Sequence, residues 1–268
     1  MALPPPSESS VALVTGASSG IGAAIARELA SRGHAVALAA RREDRLRALA
    51  DEIERDHAVR TEWVAADVAA TPERDRLAAR LDELGLAVEI LVNNAGFGAF
   101  GTVHELDRER LVEMIRTNCE ALLDLQSRYS TAMAARGRGA ILNVASTAAF
   151  QPLPGSGCYA ATKAFALSLS EATHTELRGA GVSVTALCPG PVRTEFGEVA
   201  GIGSKEGQLP GPFWTPPEQV AREAVDGLDK NKRVVIPGLL NRAGAVGGQH
   251  APRSLVLPLA NRFRRVAL

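Results

Sequence analysis

Short apolar runs alternate along the whole chain with segments whose apolar residues recur every three or four positions. Val11-Ala-Leu-Val14 predicts a first strand, followed by a glycine-rich turn and a helix to about Arg32. Gly33 closes that helix, and His34-Ala-Val-Ala-Leu-Ala-Ala40 predicts the second strand. Leu46, Leu49, Ala50 and Ile53 fall at i, i+3, i+4 and i+7, an apolar helical stripe with Arg, Asp and Glu opposite. Residues 61–66 predict a third strand. Thr71-Pro72-Glu73 then predicts a helix start, with Thr71 as cap and Pro72 at the first helical position. Glu89-Ile-Leu-Val92 and Ala140-Ile-Leu-Asn-Val144 read as strands around a long helical stretch from about Asp107 to Arg136. Val182-Ser-Val-Thr-Ala-Leu187 and Arg233-Val-Val-Ile236 complete the series.

Such alternation predicts an α/β fold, because parallel strands need a crossover and a helix supplies it. The expectation is a single-domain, Rossmann-like, doubly wound parallel sheet of about seven strands with helices on both faces. Residues 1–9 read as a disordered leader and residues 10–237 as the domain, including a Gly- and Pro-rich loop at 193–217. Residues 238–268 read as a C-terminal extension of that domain. Ligands of such sheets bind at the carboxyl ends of the strands, where strand order reverses. Gly16, Arg41, Asp67, Asn93, Ser146 and Pro189 all follow a predicted strand.

With 268 residues the chain is long enough to bury a large core without staples. Its net charge is zero, so no global basic field points to nucleic acid. Cys119, Cys158 and Cys188 are scattered, which predicts small buried side chains and no disulfide framework. The five histidines never cluster, and no metal site is expected. The N-terminus lacks a basic start and an apolar run, and no run of about 18 apolar residues occurs. A cytoplasmic protein is expected.

Tyr159 and Lys163 carry the candidate chemistry. Four residues is about one helical turn, so both project from one helix face. A phenol with an ordinary pKa of ~10 is a poor base, and a nearby cation favours phenolate. Ser146, thirteen residues upstream, offers a hydroxyl for a substrate oxygen. The turn Thr15-Gly-Ala-Ser-Ser-Gly-Ile-Gly22 places Gly16, Gly20 and Gly22 for a tight turn, close phosphate approach and helix packing. Ser18, Ser19 and Ile21 lie in that turn, and the amides of the following helix suit phosphate. No Gly-Lys-Ser/Thr follows, which argues against a triphosphatase loop. At the end of the second strand an acid would bind a ribose 2′-hydroxyl, whereas arginine accommodates a 2′-phosphate. Ala40 is followed by Arg41 and Arg42, so NADP(H) is expected over NAD(H).

Together with Asp67-Val68, Asn93-Asn-Ala-Gly96, Asn118 and Pro189-Gly190, these motifs stand in the order and spacing of the short-chain dehydrogenase/reductase family. The chain resembles that family over roughly residues 10–237. The resemblance implies Tyr159 as general acid/base, with Lys163 lowering its pKa and bonding the nicotinamide ribose. It implies Ser146 as the residue that orients the substrate oxygen, and Asn118 as a holder of a water linking Lys163 to solvent. Asp67 and Val68 would contact adenine, with Asn93, Ala95 and Gly96 as floor beside the adenosine ribose. Pro189, Gly190 and Val192 would flank the carboxamide, with Thr194 a hydroxyl partner. The implied activity interconverts a carbonyl and a secondary alcohol. Alternatives are a dehydratase or epimerase relative, or a silent dinucleotide sensor, the latter predicting decay at Tyr159, Lys163 or Ser146.

Phe97, Phe100, Phe150, Leu153, Phe196, Phe213 and Trp214 lie in loops expected around the nicotinamide, which favours a hydrophobic small-molecule substrate. The 193–217 loop has the composition of a lid. The tail after Pro237 mixes apolar and basic residues; docking onto protein is preferred over contact with an anionic membrane, and Pro252 and Pro258 argue against one long helix. The resemblance implies a homodimer or homotetramer formed through the helices that carry Asn118 and Tyr159.

Overall fold

A computed structural model describes residues 3–201 and 211–267. Seven parallel strands run in the order β3-β2-β1-β4-β5-β6-β7, where β1 is Ser10–Thr15, β2 Val36–Ala40, β3 Thr61–Ala65, β4 Ala87–Asn93, β5 Gly139–Val144, β6 Val182–Leu187 and β7 Val234–Val235. From β1 the chain winds one way to β3, then returns to place β4 on the other side of β1. That reversal opens a crevice at the carboxyl ends of β1 and β4.

Helices α1 (Gly20–Ser31), α2 (Glu43–His57) and α8 (Pro217–Asp229) cover one face. Ile25, Leu29, Leu46, Ile53, Val220 and Leu228 bury themselves there against Leu38 and Ile90. On the other face Leu77 and Leu81 of α3 (Thr71–Glu83) and Leu125 and Met133 of α5 (Ala121–Arg136) pack on Leu13, Leu91 and Ile141. Both faces of the central strands are covered, which is why β1, β5 and β6 are buried at every residue instead of alternating. The doubly wound parallel architecture expected from the sequence is present.

Several local expectations are corrected. Ala70, not Thr71, caps α3; Thr71 is already helical, and its hydroxyl accepts a bond from Arg74 Nη2 at 2.9 Å. Arg74 itself is a fully buried cation. It reaches the Val68 carbonyl at 2.7 Å, Glu120 at 2.9 Å and Asp124, which ties α3 to the start of α5. The stretch from Asp107 is not one regular helix: α4 (Arg108–Ile115) passes through a π turn, Arg116–Glu120, before α5. Part of the 1–9 segment touches the domain, while residues 5–9 are exposed. Leu3 packs on the core and donates its amide to Asp229 at 3.3 Å, and Pro4 is buried.

In the tail, α9 (Leu239–His250) and α10 (Arg253–Ala267) meet at Pro252. The tail is therefore not one long helix, as Pro252 and Pro258 led one to expect, but Pro258 itself lies inside α10. It forfeits one bond, to the carbonyl of Ser254, and both residues are exposed, so water can serve that carbonyl. Of the three cysteines only Cys188 is buried. The 193–217 loop contains α7 (Phe196–Val199) and a short turn at Gly211–Phe213, while residues 202–210 of it lie outside the described residues. Among the described residues, no helix is long and apolar enough to cross a membrane and no cluster of acids, His or Cys could hold a metal.

Candidate active site

Thr15 closes the crevice floor. Its hydroxyl donates to the Val92 carbonyl at 3.2 Å and accepts from the amides of Asn94 and Ala95 at 3.0 and 3.1 Å. Asn94 Nδ2 returns a bond to the Thr15 carbonyl at 2.9 Å. The ends of β1 and β4 are thereby stitched together. Gly16 has φ +64° and Gly20 φ +57°, the left-handed region that a side chain resists. A Cβ on Gly22 would come within 2.5 Å of the Gly16 carbonyl oxygen. These constraints hold the turn against the start of α1, whose first turn contains no acid and whose cap, Ser19, makes no side-chain capping bond. The amides of Gly20, Ile21 and Gly22 have no acceptor within the helix and suit phosphate oxygens. The backbone therefore forms a cradle that fits a dinucleotide.

At the end of the cavity next to β2, Arg42 donates to the Ser18 hydroxyl from Nε and Nη2 at 3.2 and 3.0 Å, and to the Ser19 hydroxyl at 2.7 Å. Its Nη1 reaches Glu195 at 2.7 Å. Arg41 is 65% exposed, with Glu113 at 3.7 Å. Asp67 accepts the Ala69 amide at 3.0 Å.

At the other end, α6 (Gly157–Glu176) carries Tyr159 and Lys163 on one buried face. Ser146 caps the short turn after β5, accepting the Ala148 amide at 3.1 Å, with the Pro189 carbonyl 3.5 Å from its Oγ. Burial pushes the Tyr159 phenol up to about 12, and a hydrogen bond with the Ser146 hydroxyl works against that rise. Burial also pulls Lys163 down to about 8. Its Nζ donates to the Val144 carbonyl at 2.7 Å and stands 5.8 Å from the Tyr159 ring centre. Burial, not Lys163, sets the direction of the phenol's shift in this arrangement.

One cavity of about 800 Å³ joins the two ends. It is lined by Gly16, Ser18, Ser19, Gly20, Ile21, Arg41, Arg42, Asp67, Val68, Ala95, Gly96, Ser146, Tyr159, Lys163, Pro189, Gly190, Val192 and Thr194, all named from the sequence. Three named residues lie behind the lining. Gly22 is packed under Gly16. Asn93 turns into the sheet, where its Nδ2 donates to Asn143 Oδ1 at 3.0 Å, and its neighbour Asn94 lines the cavity instead. Asn118, in the π turn, is only 2% exposed. Its carboxamide accepts the Phe97 amide at 3.1 Å and donates to the Phe97 carbonyl and Thr162 hydroxyl, both at 3.0 Å. Its side chain is thus engaged in holding the 96–97 turn.

Phe97, Phe100, Leu153, Phe196, Phe213 and Trp214 line the Tyr159 end, and the rings of Phe196 and Phe100 lie 5.5 and 6.5 Å from that of Tyr159. Phe150 is buried in the core instead. The tail, expected from the sequence to dock onto protein, does so here: Leu240, Asn241, Gly244 and Ala245 of α9 complete the wall, although no individual tail residue was named as lining. Asn241 Nδ2 holds the Phe213 and Pro237 carbonyls at 3.2 and 3.3 Å. The contribution of Glu195 was missed as well.

The model for short chain dehydrogenases matches residues 10–204. An NADP-dependent 3-hydroxy acid dehydrogenase of Salmonella typhi is 37% identical over 198 residues, 73% of this chain and 78% of that protein. A short-chain dehydrogenase from Sphingobium yanoikuyae, solved with NADPH, is 35% identical with a TM-score of 0.80, covering 93% of this chain and 95% of that one. A 7β-hydroxysteroid dehydrogenase structure is 28% identical with a TM-score of 0.83, covering 94% and 96%. Motifs, fold and cavity agree with these likenesses, and the chain belongs to the short-chain dehydrogenase/reductase family of oxidoreductases.

Proposed function

We propose that this oxidoreductase uses NADP(H) to interconvert a hydrophobic ketone and its secondary alcohol, with Tyr159 as general acid/base. The observation that carries the reading is one cavity with Arg41 and Arg42 at one end and Ser146, Tyr159 and Lys163 together at the other. The nicotinamide ring, when bound, supplies or accepts the hydride. Cradle amides from Gly20 to Gly22 and the Arg41 and Arg42 guanidinium groups hold the phosphates. The likeness to NADP-dependent and NADPH-bound relatives supports that choice of cofactor.

In the reducing direction, negative charge grows on the substrate oxygen. The hydroxyls of Ser146 and Tyr159 stabilise it where it develops, and Tyr159 then gives up its proton. A phenol pushed up by burial is a proton donor at neutral pH, which suits reduction. Lys163 holds its ammonium one turn away, fixed by the Val144 carbonyl, and Asn118 positions the adjoining turn. The aromatic wall excludes water and favours a bulky apolar ketone. A homo-oligomer would have a surface ready on the expected helices, where Ile115 and Phe165 are 45% and 37% exposed. Steady NADPH oxidation with a panel of aryl, steroid-like and 3-oxoacyl ketones tests the reading. Binding of NADPH without turnover across that panel would favour the sensor instead.

A further inference from the structure

Thr194, Glu195 and Phe196 are consecutive, yet they touch three separate parts of the cavity. The Thr194 side chain lies over the glycine turn, close enough that a Cβ on Gly20 would meet its methyl at 3.1 Å. Phe196 faces the catalytic tyrosine, ring to ring at 5.5 Å. Between them Glu195 points to α2, where one carboxylate oxygen accepts from Arg42 Nη1 at 2.7 Å and the other accepts from Arg45 Nη1. Arg42 is itself bonded to the hydroxyls of Ser18 and Ser19 in the glycine turn. A continuous chain of polar contacts therefore runs from the phosphate cradle, through Arg42, to the backbone beside Tyr159. The Phe196 amide donates to Thr194 Oγ1 at 3.2 Å, which fixes the segment's own geometry.

We propose that Glu195 is a positioning residue that straps the 194–196 segment across the cavity and so sets how long the dinucleotide stays bound. This rests on the reading of the cavity as an NADP(H) site. The hydrogen bonds from Arg42 and then Arg45 hold the carboxylate at about 2, so the strap stays charged at any working pH. An isolated exposed ion pair contributes little, but a carboxylate shared between two guanidinium groups forms a small network. Opening it is required before the segment can lift from the glycine turn, and loops of this kind set product release in many enzymes. The same three residues link the end that reads the 2′-phosphate to the end that holds the ketone.

Arg45 makes the test selective. It does not line the cavity, and its Nη1 contact goes to Glu195, so removing it loosens the strap without touching the cofactor. Stopped-flow release of NADPH is measured from the full chain, Glu195→Gln, Arg45→Ala and the double variant, at low and high salt. Each single substitution should speed release about threefold or more, and the double should be no faster than the faster single, because both break one network. Added salt should speed release from the parent more than from the variants. Release at the parent rate from both single variants overturns the strap, as do fully additive effects in the double. A parent that binds no NADPH overturns the underlying functional reading, and the strap with it.

Discussion

Lys163 stands one helical turn from Tyr159, with its ammonium 5.8 Å from the phenol ring centre and a 2.7 Å bond to the Val144 carbonyl. The two groups share one dry environment that moves their titrations in opposite directions. Burial raises the phenol to about 12 and lowers the amine to about 8.

The lysine makes stability depend on pH in a definable direction. Between about 8 and the ordinary 10.5 the unfolded chain holds a proton on Lys163 that the folded chain has lost. Stability contributed through this residue therefore rises with pH across that window. Tyr159 adds nothing until about 10, above which its raised value makes stability fall. Denaturant titrations of the parent and Lys163→Met should show the parent gaining about 2 kcal/mol relative to the variant between pH 7 and 10. A difference that stays flat over this range contradicts the buried amine.

Arg41 is the more open of the two arginines, whereas the guanidinium of Arg42 is already bonded to Ser18, Ser19 and Glu195. Arg41→Ala should weaken NADPH binding about tenfold and leave NADH binding nearly unchanged, since only the former carries a 2′-phosphate. Isothermal titration with both cofactors measures this, and an equal loss for both would assign Arg41 to another role.

Gly190 is pressed against the tail. A Cβ there would come 2.3 Å from the Asn241 side chain, which holds the 213–215 segment and the Pro237 carbonyl. Gly190→Ala should lower both melting temperature and turnover, and Asn241→Ala on top of it should cost less than the sum of the two changes. Strict additivity would show that the two positions do not press on each other.

Arg74→Met leaves the Val68 carbonyl and the Asp124 carboxylate without their buried partner. The acids reach water, so the cost is reduced from that of a fully buried pair to about 2 kcal/mol. Equilibrium unfolding measures it; a variant as stable as the parent would show that α3 and α5 do not depend on this cation.

The strands and the cavity lining were legible in the sequence for a physical reason. Apolar runs such as Val182–Leu187 and turns such as Gly16–Gly22 are local, and parallel topology follows from their alternation. What escaped was decided by distant partners. No local signal distinguishes Asn93 from Asn94; the pairing of Asn93 with Asn143 across β4 and β5 turns one inward and leaves the other in the crevice. Arg74 reads as a solvated helix residue until α5 supplies its acids. Glu195 meets Arg42 across more than 150 residues, and Asn241 meets Gly190 only once α9 has folded back. The opposed shifts of Tyr159 and Lys163 likewise depend on how deeply α6 is covered.

The most direct test of the account compares the parent with Tyr159→Phe, measuring NADPH binding by fluorescence titration and ketone reduction by NADPH consumption. Near-parental NADPH affinity is expected, with turnover reduced about 100-fold or more, because the proton donor to the substrate oxygen is gone. Ketone reduction at close to the parental rate would place the proton transfer elsewhere and contradict the account.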